Sequence, residues 1–233
     1  MTGIILGSGL QELINELSSP EVLFEDKNSF HNRKILKGKL DGSEVILFKG
    51  RKHFYEGADY TEVVSNIINA KKKGIKNLII TNAAGGVNRT FKVTDLMLII
   101  SHINLGFKRS GNNQKMTNIY DRNLNLETRK IAIQNGIKLQ QGVYCSLSGP
   151  CYETKSDIRT LMKIKTDAVG MSTVPEVLHS KENNIRFIGI SCITNMLYES
   201  TGDMLCHSEV EEAGKKTYEK FSKLIKLLVK TLN

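Results

Sequence analysis

The chain has 233 residues, 40% of them hydrophobic and 24% charged, and a formal net charge of +9. That length suits a single domain, 1–233, with a sizeable core, and the composition excludes a disordered or fibrous chain. No apolar stretch approaches the roughly 20 residues that span a bilayer, so no membrane partner is expected. The first strand-like run begins at Ile4 with no basic region or cleavage signal before it, which makes a cytoplasmic location the expectation. The positive charge raises the question of nucleic acid. Its distribution speaks against that partner, because the lysines are dispersed and are not interleaved with aromatic residues. The triplet Lys71 to Lys73 stands before Gly74, where it complements a helix C-terminus. The four cysteines, Cys145, Cys151, Cys192 and Cys206, have neither CxxC nor metal-finger spacing, and no zinc site is expected.

In chain order, strand-like runs occupy Gly3 to Leu6, Glu44 to Phe48, Asn77 to Ile80, Asp95 to Ile100, Gly142 to Ser146, Ala168 to Gly170 and Arg186 to Ser191. Helical patterns separate many of them. Val64, Ile67 and Ile68 share a face from Thr61 up to the stop at Gly74, and Ile158, Leu161 and Met162 repeat that face after Thr154. Ser208 and Glu211 have capping-box spacing at the start of a last helix through Phe221, Leu224 and Leu228. Gly106 to Thr117 shows no periodicity and reads as a surface loop. The alternation of strands and helices predicts an α/β fold, a three-layer sandwich around a central mixed β-sheet.

Polar residues cluster just beyond these strands, where open α/β sheets display ligands. Leu6-Gly7-Ser8-Gly9-Leu10 permits close backbone approach to an anion, although alone such a motif is more often only a tight turn. In Gly50-Arg51-Lys52-His53-Phe54-Tyr55-Glu56-Gly57, Arg51 offers a fork that matches phosphate, and His53 shares its orientation if the backbone is extended. Thr81-Asn82-Ala83-Ala84-Gly85-Gly86 reads as a loop of small residues with accessible N–H groups. In Met171-Ser172-Thr173-Val174-Pro175-Glu176, Thr173 and Glu176 have capping-box spacing, which puts Ser172 before a helix start. Met171 is core by default, and packs a sugar face if it borders a cavity. Glu153 follows Gly149-Pro150-Cys151-Tyr152, and Asn195 ends the run from Ile190. Either suits an ordinary surface position, but together a carboxylate and an amide can read the edge of a nucleobase.

Taken in this order, GRKHFYEG, TNAAGGVN, GPCYET and AVGMSTVPEV resemble the trimeric purine nucleoside phosphorylases, a family that includes the methylthioadenosine phosphorylases. The resemblance runs from Ile4 into the final helix. It implies phosphate-dependent cleavage of the N-glycosidic bond of a purine nucleoside, giving free base and ribose 1-phosphate, as a purine-salvage enzyme. It also implies a homotrimer, with no metal or organic cofactor and inorganic phosphate as co-substrate. By motif position, Ser8, His31, Arg51, His53, the backbone N–H of Ala83 and Ser172 would hold phosphate. Tyr55, Met171 and His207 would meet the ribose, and Tyr152, Glu153, Val169, Thr194 and Asn195 the base. Catalysis would fall to Asn195, Glu153 and His53. Asparagine rather than aspartate at 195 implies a 6-oxopurine, because a 6-oxo group needs a donor and a 6-amino group an acceptor. A 6-aminopurine or methylthioadenosine phosphorylase is the nearest alternative, and a catalytically silent purine-binding protein comes from another class.

Overall fold

The computed structural model describes residues 1–27, 32–108, 118–197 and 207–233, with backbone alone for 207–211. After β1 (Thr2–Leu6), a hairpin of β2 (Ser18–Asp26) and β3 (Arg33–Leu40) leads into β4 (Ser43–Lys49). The helices α1 (Tyr60–Val63) and α2 (Ser65–Lys72) then precede β5 (Asn77–Gly86) and β6 (Leu96–Asn104). The rest alternates: α3 (Arg122–Gln134), β7 (Leu139–Ser146), α4 (Lys155–Lys163), β8 (Ala168–Gly170), α5 (Val174–Glu182), β9 (Arg186–Met196) and the long α6 (His207–Leu232). No helix among the described residues is long and apolar enough to cross a membrane.

The nine strands among the described residues join one mixed sheet in the order β2-β3-β4-β1-β5-β8-β7-β6-β9. The additional parallel pairing of β5 with β9 closes β5, β8, β7, β6 and β9 into a ring. The central β1 is buried along its whole length, as a parallel strand covered on both faces must be. Its alternating side chains define the layers: Ile4 and Leu6 join Phe221, Leu224 and Leu228 of α6 in one core cluster. Ile5 points the other way, into a cluster with Ile67 of α2 and Val177 of α5. The ring strands contribute Ala84, Met97, Tyr144, Ala168 and Ile193 to a third cluster. In a fourth, Ile158 and Leu161 of α4 pack with Cys145 and Val169. The chain thus has the expected mixed sheet between two helical layers.

Several boundaries differ from the sequence-based expectation. β2 and β3 are additional strands, and β2 is the exposed sheet edge, with register shifts that break its period of two. α3 is likewise additional. β5 continues through Thr81-Asn82-Ala83-Ala84-Gly85-Gly86, so that segment is strand rather than loop. β9 runs on through Thr194 and Asn195 to Met196. The residues from Thr61 to Gly74 form two helices, broken at Val64, and Gly74 ends the second in a left-handed conformation (φ 71°). The side chains of Ser208 and Glu211 and most of the segment from Gly106 to Thr117 lie outside the described residues.

Candidate active site

The ends of β1, β4, β5, β8 and β9, together with the loop after β7, surround one cavity of about 410 Å³. Ser8, Arg51, His53, Tyr55, Ala83, Tyr152, Glu153, Val169, Met171, Ser172, Thr194 and Asn195 all border it. His31, and the side chain of His207 at the start of α6, lie outside the described residues.

At one end, β1 and β5 are tied by Thr81, whose hydroxyl accepts the Gly7 N–H and donates to the Ile5 carbonyl, both at 2.8 Å. That tie places Ser8 beside the small residues of β5. Arg51 follows β4 and is almost fully buried. Its Nε donates to both oxygens of Glu176 at 3.0 Å, Nη1 to the Leu6 carbonyl at 3.2 Å and Nη2 to the Thr81 carbonyl at 2.7 Å. The guanidinium thus grips Glu176, the end of β1 and the middle of β5, and among the described residues each terminal nitrogen keeps one further N–H for a ligand. Burial pushes the Glu176 carboxyl up from its ordinary value, and Arg51 pulls it back.

The His53 backbone is extended, as a shared orientation with Arg51 requires. Its Nδ1 lies 2.7 Å from Glu56 Oε1, which also accepts the His53 backbone N–H at 3.1 Å. The carboxylate favours a proton on Nδ1 and fixes the ring plane. Tyr55 stacks on that ring with centroids 4.8 Å apart, and burial first, then Glu56 and Tyr152, push its hydroxyl up to about 12.

Ser172 precedes α5, but the expected capping box is absent. Thr173 lies at φ 76° and makes no side-chain cap, because its hydroxyl accepts from Asn82 Nδ2 at 2.8 Å, while Glu176 is held by Arg51. The carboxylate that local spacing assigns to the helix end serves a partner 125 positions away in the chain.

Met171 and Tyr55 meet over Gly149, which has φ 72° and whose Cβ, if present, would lie 2.5 Å from Met171 Sδ and 2.8 Å from Tyr55 Cδ1. Only glycine fits there. Met171 is therefore a wall of the cavity rather than core. At the far end, a register shift between β5 and β9 pairs Ala84 with Ile193 and Gly85 with Asn195, leaving Thr194 as the extra residue. Bulges of this kind re-aim side chains beside sites. Here the Asn195 amide rests against Gly85, and the Thr194 hydroxyl lies 3.3 Å from Asn195 Oδ1 and 3.4 Å from the Ala84 carbonyl. A hydroxyl donating to Oδ1 leaves Nδ2 as the donor for a ligand. Burial holds the Glu153 carboxyl above its ordinary value, its own backbone N–H opposing and Asp157 adding to the rise.

Sequence reasoning missed Gln11 and Asn82 as cavity-lining residues, and it missed Glu176 and Glu56 as the groups that fix Arg51 and His53. For Glu176 a signal was present, namely a carboxylate inside an otherwise apolar helix start. Gln11 carries no local signal.

Residues 2–230 match the model of the Phosphorylase superfamily. The chain is 40% identical to purine nucleoside phosphorylase 1 of Bacillus subtilis (strain 168), an alignment that covers 97% of this chain and 90% of the relative. It is 36% identical to the purine nucleoside phosphorylase of Bos taurus, over 98% and 88% of the two chains. Among solved structures, isoform 2 of the Schistosoma mansoni enzyme, in complex with cytosine and ribose-1-phosphate, superposes with a TM-score of 0.90 at 31% identity, covering 100% of this chain and 90% of that one. Within that superfamily the chain belongs to the purine nucleoside phosphorylases, which are pentosyltransferase enzymes.

Proposed function

We propose that the enzyme cleaves inosine and guanosine with inorganic phosphate, releasing hypoxanthine or guanine and ribose 1-phosphate, in purine salvage. The observation that carries this reading is one cavity bordered at once by Ser8, Arg51, His53 and Ser172, by Glu153 and Asn195, and by Met171 and Tyr55. In the reaction the C1′–N9 bond breaks with its electron pair leaving on the purine, while a phosphate oxygen forms the new bond to C1′. Negative charge grows on the base and positive charge at C1′, so groups at both ends act on the transition state more than on the ground state.

Phosphate would sit among Ser8, His31, Arg51, His53, the Ala83 N–H and Ser172. Tyr55, Met171 and His207 would contact the ribose, and Tyr152, Val169 and Thr194 would frame the base. Asn195 Nδ2 would donate to O6 as charge develops there, and Glu153 would accept the N1–H. A Thr194 hydroxyl donating to Asn195 Oδ1, 3.3 Å away, would leave Nδ2 as the donor that a 6-oxopurine needs, which supports that preference. Solved structures of the Schistosoma mansoni enzyme, about 30% identical to this chain, hold inosine and adenosine. The reading includes a homotrimer in the cytoplasm, with no metal or organic cofactor.

The test is chromatography of free base released from inosine, guanosine, adenosine and methylthioadenosine, each with and without phosphate. Phosphate-dependent hypoxanthine and guanine are the expected products. Turnover of the 6-amino substrates alone would overturn the specificity, and purine binding without turnover would overturn the activity.

A further inference from the structure

We infer that a directed chain of hydrogen bonds, from Asn82 to Thr173 to Ser172, built on a strained turn, sets the Ser172 hydroxyl as a donor toward the anion end of the cavity. The inference rests on the phosphorolysis reading above. Thr173 has φ 76° and ψ −51°, and the Val174 N–H donates to the Ser172 carbonyl at 2.9 Å. Together these define the rare, strained form of the γ-turn. A β-branched residue at positive φ is an outlier that persists only where its surroundings over-determine it, and such residues gather at ligand clamps.

Three bonds fix this one. Besides the Val174 contact, the Thr173 carbonyl accepts the Val177 N–H at 2.8 Å as α5 begins, and the Thr173 hydroxyl accepts from Asn82 Nδ2 on β5 at 2.8 Å. An amide nitrogen donates and does not accept, so with Nδ2 of Asn82 turned to Thr173 the hydroxyl is the acceptor in that contact. Thr173 is assigned as the donor in its 3.2 Å contact with Ser172 Oγ, where the geometry alone allows either hydroxyl to donate, so that Ser172 keeps its proton for a partner beyond the turn. Donors linked in this way polarise one another.

Ser172 borders the cavity, whereas Thr173 is 1% exposed and sits behind it. A change at Thr173 therefore reaches a ligand only through its neighbours. Asn82 and Thr173 are positioning residues, and the strained turn holds Ser172 at the cavity wall.

The test is steady-state kinetics with inosine and inorganic phosphate, each varied at saturation of the other, together with the melting shift produced by inorganic phosphate alone. Thr173→Val keeps size and branching while breaking the chain. The expected result is a rise of roughly tenfold in the phosphate KM, the cost of one hydrogen bond to an anion. The phosphate-induced melting shift shrinks with it, while the inosine KM stays within about twofold. Thr173→Ser restores both readouts. Thr173→Gly, which accommodates the positive φ and keeps the question open if the valine variant does not fold, behaves like Thr173→Val. A valine variant with wild-type phosphate kinetics overturns the inference. So do equal KM shifts for both substrates, or a serine variant as impaired as the valine one. Failure of the unsubstituted enzyme to release base in a phosphate-dependent way overturns the phosphorolysis reading itself, and this inference with it.

Discussion

Asn195 and Glu153 border the cavity with complementary chemistry, an amide that both donates and accepts and a carboxyl held above its ordinary value by burial. If the amide stabilises a departing base, Asn195→Ala lowers kcat by roughly 10²–10³, the usual loss for a transition-state donor. Circular dichroism should show the fold intact, since the side chain is only partly buried. Glu176 behaves differently because it sits out of contact with solvent and its work is done on Arg51. Glu176→Ala strands a buried guanidinium, and a destabilisation of about 3–5 kcal/mol in denaturant titration is expected. At this scale the sequence named most of the cavity's polar residues, because ligand-facing groups stand at strand ends and interrupt apolar runs. It did not name Glu176 as the partner of Arg51, since a pairing 125 positions apart in the chain leaves no trace in spacing, nor Glu56 as the partner of His53, although the two stand three residues apart.

Among the elements, legibility followed burial. β1, β4, β7 and β8 were evident as short apolar runs because each lies within the sheet. β2 was not, for its Val22 and Phe24 are solvent-exposed and separated by a register shift, so no alternation survives. β5 and β9 were cut short because the small and polar residues that end them look like loop, while their backbones stay paired by ladder bonds that impose no apolar requirement. α6 was legible from Phe221, Leu224 and Leu228, which cover one face of the sheet. Leu224 is fully buried there, so Leu224→Ala removes contacts from the largest cluster and should cost about 2–5 kcal/mol, read as a lowered denaturation midpoint at unchanged m-value. The cap at Thr173 was misread for a related reason: capping boxes assume extended backbone at the cap, and positive φ is invisible in the sequence.

For the molecule as a whole, stability should fall on mild acidification, and His102 gives the direction. Burial holds its imidazole below the ordinary value of 6.5 while Nδ1 meets the Tyr120 hydroxyl at 3.1 Å. The unfolded chain therefore binds the proton more readily than the folded one. The contribution of His102 is complete above the unfolded value and is lost as pH drops through the folded value beneath it. Asp95 acts in the same direction at lower pH. Burial pushes its carboxyl up, but Gln140, the Lys92 N–H and Lys138 outweigh that and hold it below the ordinary value. Glu153 and Glu176 oppose both, because carboxyls raised by burial favour folding at low pH and lose that contribution as pH rises through their folded values. The melting temperature should decline between about pH 7.5 and about 5.5, and His102→Gln should flatten that decline. The pairing of Arg51 with Glu176 has a further effect on how the enzyme meets its solution. Although the chain carries a net charge of +9, Arg51, proposed to hold phosphate, is already matched by a carboxylate 3.0 Å away, inside the protein and beyond the reach of the ion atmosphere. Capture of phosphate then depends on short-range donors rather than on attraction from a distance, and its KM should stay nearly flat as ionic strength rises from about 0.01 M to about 0.15 M, where capture by open lysines would weaken steeply.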